Sequence, residues 1–418
     1  MMGRLLVRST ISGQSVSERT RLKKTALLDA TRKLGIVSAG YGDPVVFARS
    51  KPLNERKHGR KENTVMVEPN SPGCDNTAIK SAMGICFAIL LVSCAARLFG
   101  QAGGEIIRLD PKLDEIVSSD ARVEKLAGGF GFVEGPVWVR QGGYLLFSDI
   151  PANAINKWTP DGKVSVFLKP SGFTGTDPSD VGSQNNNGKE VVTLIGSNGL
   201  TLDRQGRIVL AAHGDRAIVR IEKNGQRTVL ADRYDGKRLN SPNDLVYKAD
   251  GALYFTDPSA GLRKRDDDPK KELPFNGVYM VKDGTLQLLD KTFKVPNGLA
   301  FSPGEKYFYV NDTTRKLIMR YEVQVNDTVA NGQVFIDMNS DNAPGVPDGM
   351  KVDQKGNVYC TGPGGFWIMS SEGKHLGTVK APELPANLAF GDADGKTLYL
   401  TARTGLYRIR LKIAGIRP

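Results

Sequence analysis

NDLVYKADGALYFTD, from Asn243 to Asp257, and NGLAFSPGEKYFYVND, from Asn297 to Asp312, decide the fold. Each opens on an amide residue, runs into a short alternating strand, breaks at a polar Gly turn and returns through a strand rich in aromatic and β-branched residues. Four further stretches share the pattern: EGPVWVRQGGYLLFSD from Glu134, NGLTLDRQGRIVLAAH from Asn198, DGMKVDQKGNVYCTG from Asp348 and NLAFGDADGKTLYLT from Asn387. Consecutive starts lie between 39 residues (Asp348 to Asn387) and 64 residues (Glu134 to Asn198) apart, which suits a four-stranded blade. Such blades cannot bury both faces alone, so they pack around an axis and the ring must close. Arg122–Leu126, ahead of the first repeat, is the strand expected to complete the last blade. The prediction is an all-β chain whose residues 121–413 form a six-bladed β-propeller. A β-sandwich is the rival all-β reading, but sixfold repetition is not what a sandwich needs.

Outside the repeats the character changes. The net charge of +12 over 418 residues would suggest an acidic partner if it were spread over the propeller. It is not: the first 80 residues hold fifteen Lys and Arg against seven Asp and Glu, including Arg56-Lys57-His58-Gly59-Arg60-Lys61. No aromatic residues interleave with that run, which argues against single-stranded nucleic acid as a partner. Residues 1–80 read as a polar basic segment, disordered or preceding the true start. Ala82–Ala96 (AMGICFAILLVSCAA) has the length of a signal-peptide h-region rather than a membrane span, and small residues at Gly100 and Ala102 suit cleavage. Segment 81–102 therefore points to a periplasmic or secreted protein. A lipobox-like Leu91-Val92-Ser93-Cys94 offers a lipoprotein at Cys94 instead, and a retained 82–96 segment would be an anchor. Residues 103–120 read as a linker. Only Cys360 falls in the body of the protein, which excludes an intramolecular disulfide or a Cys-rich metal site there.

In a propeller the innermost strand of every blade starts at the same rim of the channel. Glu134, Asn198, Asn243, Asn297, Asp348 and Asn387 are thereby expected to form a ring of oxygen-bearing side chains around one axis. The ends of the second strands, Asp149, His213, Asp257, Asp312 and Thr361, return just outside it. One Asn-Gly pair alone is ordinary turn chemistry. Six polar starts in phase, two of them carboxylates, make a site for one divalent cation, with calcium first because it takes six to eight oxygen ligands. Manganese, magnesium and zinc are the alternatives; zinc is disfavoured because its catalytic ligand sets contain His, and the body has only His213 and His375.

Phe132-Val133-Glu134-Gly135-Pro136, Leu239-Asn240-Ser241-Pro242-Asn243-Asp244, Val295-Pro296-Asn297-Gly298-Leu299 and Pro347-Asp348-Gly349-Met350 resemble motifs of the gluconolactonase and regucalcin (senescence-marker protein) family of six-bladed, calcium-dependent propellers. The resemblance covers Ala121 to about Lys412. It implies that Glu134, Asn297 and Asp348 bind the metal, that Asn243 contacts metal or substrate, and that Asp348 also accepts and donates the proton. Regucalcin-like members carry an Arg and a Glu that contact the sugar; Ser241 and Gly261 stand there instead. Gly236–Leu245 looks closer to bacterial gluconolactonases.

The reaction this implies is metal-dependent opening of a small-molecule lactone or related ester. A carboxylate that also binds the cation is a poor base, because the metal's charge lowers its proton affinity, so Asp257 and His213 are alternatives to Asp348. Asn198, Asn243 and His213 are the candidates for contacting substrate. No nucleophilic Ser or Cys motif stands out. The Gly-, Ser- and Asn-rich stretch from Gly172 to Gly188 reads as an inserted rim loop that either covers the substrate or is disordered. A calcium-dependent phosphotriesterase-like hydrolase and a non-catalytic ligand-binding propeller are the rival functions.

Overall fold

A computed structural model describes residues 104–186 and 190–416. Segments 1–80 and 81–102, apart from their sequence, lie outside the described residues. Among the described residues six sheets of four or five strands follow one another along the chain. In five of them the strands pair antiparallel in sequence order, for example Val133–Val139, Tyr144–Asp149, Ala154–Trp158 and Val164–Leu168 in blade one. Blade six takes Asn387–Gly391, Thr397–Ala402 and Gly405–Arg410 from the end of the chain and its outer strand, Val123–Gly128, from the beginning, with Val123 opposite Ile409. The ring closes as the sequence predicts, with hydrogen bonds between the two ends of the domain.

Alternation within each strand is what holds neighbouring blades together. In Tyr144–Asp149, Leu145 and Phe147 face blade six, where they join Trp138, Trp158 and Tyr399, while Leu146 faces blade two and packs with Leu200, Leu210 and Val219. Side chains two apart share a face, so one strand supplies two cores. Each of the six seams between blades holds one such cluster. At the closing seam Trp138 stacks on Tyr399 with centroids 5.3 Å apart and planes 14° from parallel. Truncating a fully buried leucine such as Leu146 to Ala should cost about 2–5 kcal/mol.

The stretch read as a linker is structured where it is described. Ile106–Arg108 adds a fifth strand to blade five by pairing with His375–Val379, and a 3-10 turn at Pro111–Glu115 follows. Leu113, Ile116 and Val117 are buried between blades five and six. A short apolar cluster of this kind has no repeat partner, which is why the sequence pattern does not expose it.

Candidate active site

Inner strands do not run straight into the rim. The ladder of blade one slips between Glu134 and Val137 and that of blade four between Pro296 and Leu299. Bulges of this type free a residue from regular pairing and re-aim its side chain. The glycine after the rim residue is needed for close approach: a Cβ on Gly135 would lie 2.1 Å from the Asn198 carbonyl oxygen, and one on Gly298 2.1 Å from that of Asp348. Gly298 thus belongs to a packed strand rather than to a turn.

Five of the six expected rim residues, Glu134, Asn198, Asn243, Asn297 and Asp348, line one cavity of about 360 Å³ together with His213. The sixth does not. In blade six the rim position is Ala386, which lines the cavity, and Asn387 is one residue further along. Backbone bonds establish the register: Gly199 N–H donates to Asn243 C=O, Gly298 N–H to Asp348 C=O and, equivalently, Gly349 N–H to Ala386 C=O. A one-residue slip turns a strand side chain to the other face. Asn387 accordingly sits deeper, accepting from Leu388 N–H at 2.8 Å and donating to Asp244 at 3.4 Å.

Asp257 is not brought to the cavity. Its two oxygens accept the N–H groups of Asn240 and Ser241, both at 2.8 Å. Asp149 serves Gly131 and Phe132 in the same way, and Asp312 serves Lys294 and Val295. In each case the bonded amides lie three and two residues before the rim residue, so these aspartates fix the loops that deliver Glu134, Asn243 and Asn297. The residue just before each aspartate reaches the following blade: Ser148 donates to Asn198 C=O at 2.8 Å, Thr256 to Asn297 C=O at 2.8 Å and Asn311 to Asp348 C=O at 2.5 Å. Blade two has His213 where blades one, three and four have the loop-fixing aspartate, and His213 faces the cavity instead.

The donors have few partners of their own. Asn198, Asn243 and Asn297 each bury Oδ1 without a hydrogen-bond partner among the described residues. Buried amide oxygens are rarely left so, and three beside two carboxylates suit a hard cation with oxygen ligands. Among the described residues no cluster of three His, Cys, Asp or Glu is present; the donor set is carboxylates plus amides. Burial pushes Glu134 up to about 7, against the Gly135 N–H that it accepts at 3.1 Å, and Asp244 adds to the rise. Burial, then the charges of Glu134 and Asp244, raise Asp348 well above the usual carboxylate range. A cation among these groups would relieve both costs. Burial holds His213 down to about 4, so it is neutral near pH 7; Nδ1 is 3.5 Å from the Asn198 amide and Nε2 is unpartnered.

Sequence reasoning missed Asp244 and Arg403. Asp244 lies beneath the rim, with its carboxylate 3.9 Å from the Lys351 ammonium. Only its place inside the Asn-Asp motif hinted at it. Arg403 lines the cavity from the turn between the second and third strands of blade six, just beyond the stretch that carries the repeat pattern. The inserted loop covers part of the rim: Phe173, Val181 and Leu194 pack with Phe132, Ile150 and Ala386, and Gly182 N–H donates to Gly261 C=O at 2.6 Å.

The SMP-30/Gluconolactonase/LRE-like region profile matches residues 132–404. A gluconolactonase of Zymomonas mobilis is 38% identical over 326 residues, 76% of this chain and 88% of that protein. A pentonolactonase of Haloferax volcanii is 26% identical over 65% of this chain and 81% of its own length. Among solved structures, a gluconolactonase of Xanthomonas campestris superposes with a TM-score of 0.61 at 30% identity, covering 75% of this chain and 98% of that one. With the repeats, the ring and the rim residues in agreement, the chain belongs to the SMP-30/gluconolactonase/LRE-like family of six-bladed propellers.

Proposed function

We propose that the protein opens a small, sugar-derived lactone at the mouth of its channel, with one divalent cation, calcium first, held by Glu134, Asn243, Asn297 and Asp348. The observation that carries this reading is the convergence of three partnerless amide oxygens and two carboxylates on one cavity. The names of the Zymomonas and Haloferax relatives support a lactone as substrate. When bound, the cation would polarise the lactone carbonyl and stabilise negative charge on its oxygen. Asn198 and His213 orient the substrate from blade two. Asp348 takes the proton from the attacking water, and its raised proton affinity in the unloaded site is consistent with a group placed to hold one. Asp257, with both oxygens engaged by backbone amides, is a positioning residue rather than the base.

The test is proton release from a panel of aldonolactones, with a phosphotriester alongside, on residues 103–418 with and without chelator. Turnover above the spontaneous rate, abolished by chelation and restored by calcium, is expected. No lactone opened faster than in buffer at saturating calcium would refute the reading, and turnover of the phosphotriester alone would replace it with the phosphotriesterase alternative. We also propose export directed by residues 81–102. Among the described residues no helix is long and apolar enough to cross a membrane.

A further inference from the structure

Arg403 is given no step in the chemistry above, though its charge favours the ionised form of Asp348, and it is built firmly into the cavity wall. Its backbone takes φ 50 in the turn between Thr397–Ala402 and Gly405–Arg410. That turn is tied to blade one: Arg403 C=O accepts Val133 N–H at 2.8 Å and Thr404 C=O accepts Phe130 N–H at 3.2 Å. The guanidinium lies over the Phe132 ring, 5.6 Å from its centroid. This cation–π contact holds the group beside the ring and leaves its N–H groups free to donate. Among the described residues Arg403 joins no ion pair, and its side chain makes no hydrogen bond.

Charge bookkeeping indicates what such a group would hold. Glu134 and Asp348 offset one divalent cation, and Asp244 beneath them has the Lys351 ammonium 3.9 Å away. On the rim Asp266 is matched by the Lys271 ammonium 3.8 Å away, and Arg265 beside it adds positive charge. With the cation in place, Arg403 leaves the cavity with a surplus positive charge. A lactone is neutral. Water adds to its carbonyl, the ring C–O bond breaks with a proton going to the departing alkoxide, and the new carboxylic acid ionises with release of one proton. The product therefore carries a carboxylate that the substrate lacks, and a guanidinium edge is suited to pair with it through two parallel hydrogen bonds.

We propose that Arg403 is a product-binding residue that holds the carboxylate generated by lactone opening. The proposal rests on the lactonase reading and identifies which end of the product the cavity grips. The consequence is that the protein prefers a hydroxy-acid anion over a neutral molecule of the same shape.

The probes are D-gluconate and its neutral isostere D-gluconamide, titrated calorimetrically into the calcium-loaded full chain. The parent should bind gluconate roughly tenfold more tightly than gluconamide, the scale of one charge-assisted hydrogen bond. Arg403→Met should bring the two to within about twofold with the melting temperature kept, and Arg403→Lys should retain an intermediate preference because the charge survives without the fork. No preference in the parent, or one that survives in Arg403→Met, overturns the proposal. Lactone opening is assayed separately on the same samples. Opening without an anion preference removes the Arg403 subsite alone, whereas an Arg403-dependent preference without opening removes the lactonase reading and leaves the subsite.

Discussion

A Cβ placed on Gly261 would lie 2.0 Å from Nε2 of His213, inside the imidazole's own contact distance. The two residues come from different blades, so neither can change alone. Gly261 N–H also donates to Ser241 Oγ at 2.9 Å, which joins the three positions into one unit. The motif resemblance aligns Ser241 and Gly261 with an Arg and a Glu of regucalcin-like proteins; here His213 lies against Gly261. Gly261→Ala should therefore destabilise the fold by about 1–3 kcal/mol through overpacking. Adding His213→Ala should recover part of that loss in urea denaturation, because Ser241 Cβ would still lie 2.6 Å from the new methyl. A penalty unchanged in the double variant would mean that some other contact requires the glycine.

His213 also makes a prediction about pH. Burial holds it at about 4 against an ordinary 6.5, so between those values the unfolded chain takes up a proton that the folded chain refuses. Its contribution to stability is complete above pH 6.5 and is lost as the pH falls towards 4. Across that window the loss amounts to about 3 kcal/mol. Denaturation at about pH 7 and about pH 4 should show the parent losing more stability than His213→Asn by roughly this amount. Equal losses in the two proteins would show that His213 does not titrate in this range.

Glu134 and Asp348 differ in what their amides can still do. Glu134→Gln keeps the volume and removes a charge, so calcium affinity measured by calorimetry should fall without unfolding the ring. Unchanged affinity would remove Glu134 from the ligand set. Asp348→Asn leaves an oxygen able to coordinate but none able to accept the water's proton. Turnover should stay down by about 10²-fold or more even at saturating calcium. Recovery to near-parent turnover at high calcium would move the base to His213, because His213 lines the cavity and Asp257 does not.

Residues 103–418 should fold cooperatively, whereas a chain starting at residue 121 should not match its stability. The shorter chain keeps the closing strand Val123–Gly128 but loses Ile106–Arg108 and the buried Leu113, Ile116 and Val117. Leu113→Ala alone should cost about 2–5 kcal/mol, as for other fully buried leucines. Identical thermal melts for the two lengths would show that the strap contributes nothing.

The propeller, its closing strand and five of the rim residues were legible in the sequence because they depend on a local pattern repeated in phase. Period-two alternation, a Gly turn and a polar start are properties of some fifteen contiguous residues, and their recurrence removes the ambiguity that each alone would carry. Asn387 shows where that reading stops: NLAF resembles the other starts, but only the backbone bond from Gly349 to Ala386 reveals the one-residue shift that takes Asn387 out of the cavity. Asp257 and His213 occupy the same position in the pattern and do opposite things, since one carboxylate is consumed by the amides of its own loop while the imidazole is left facing the cavity. Arg403 lies in a turn just beyond the stretch that carries the repeat pattern and acquires its place over Phe132 only when blade six meets blade one. Strand pattern is written along the chain, but the partners that leave a side chain free or engage it come from blades far apart in sequence, and only the closed ring brings them within hydrogen-bonding distance.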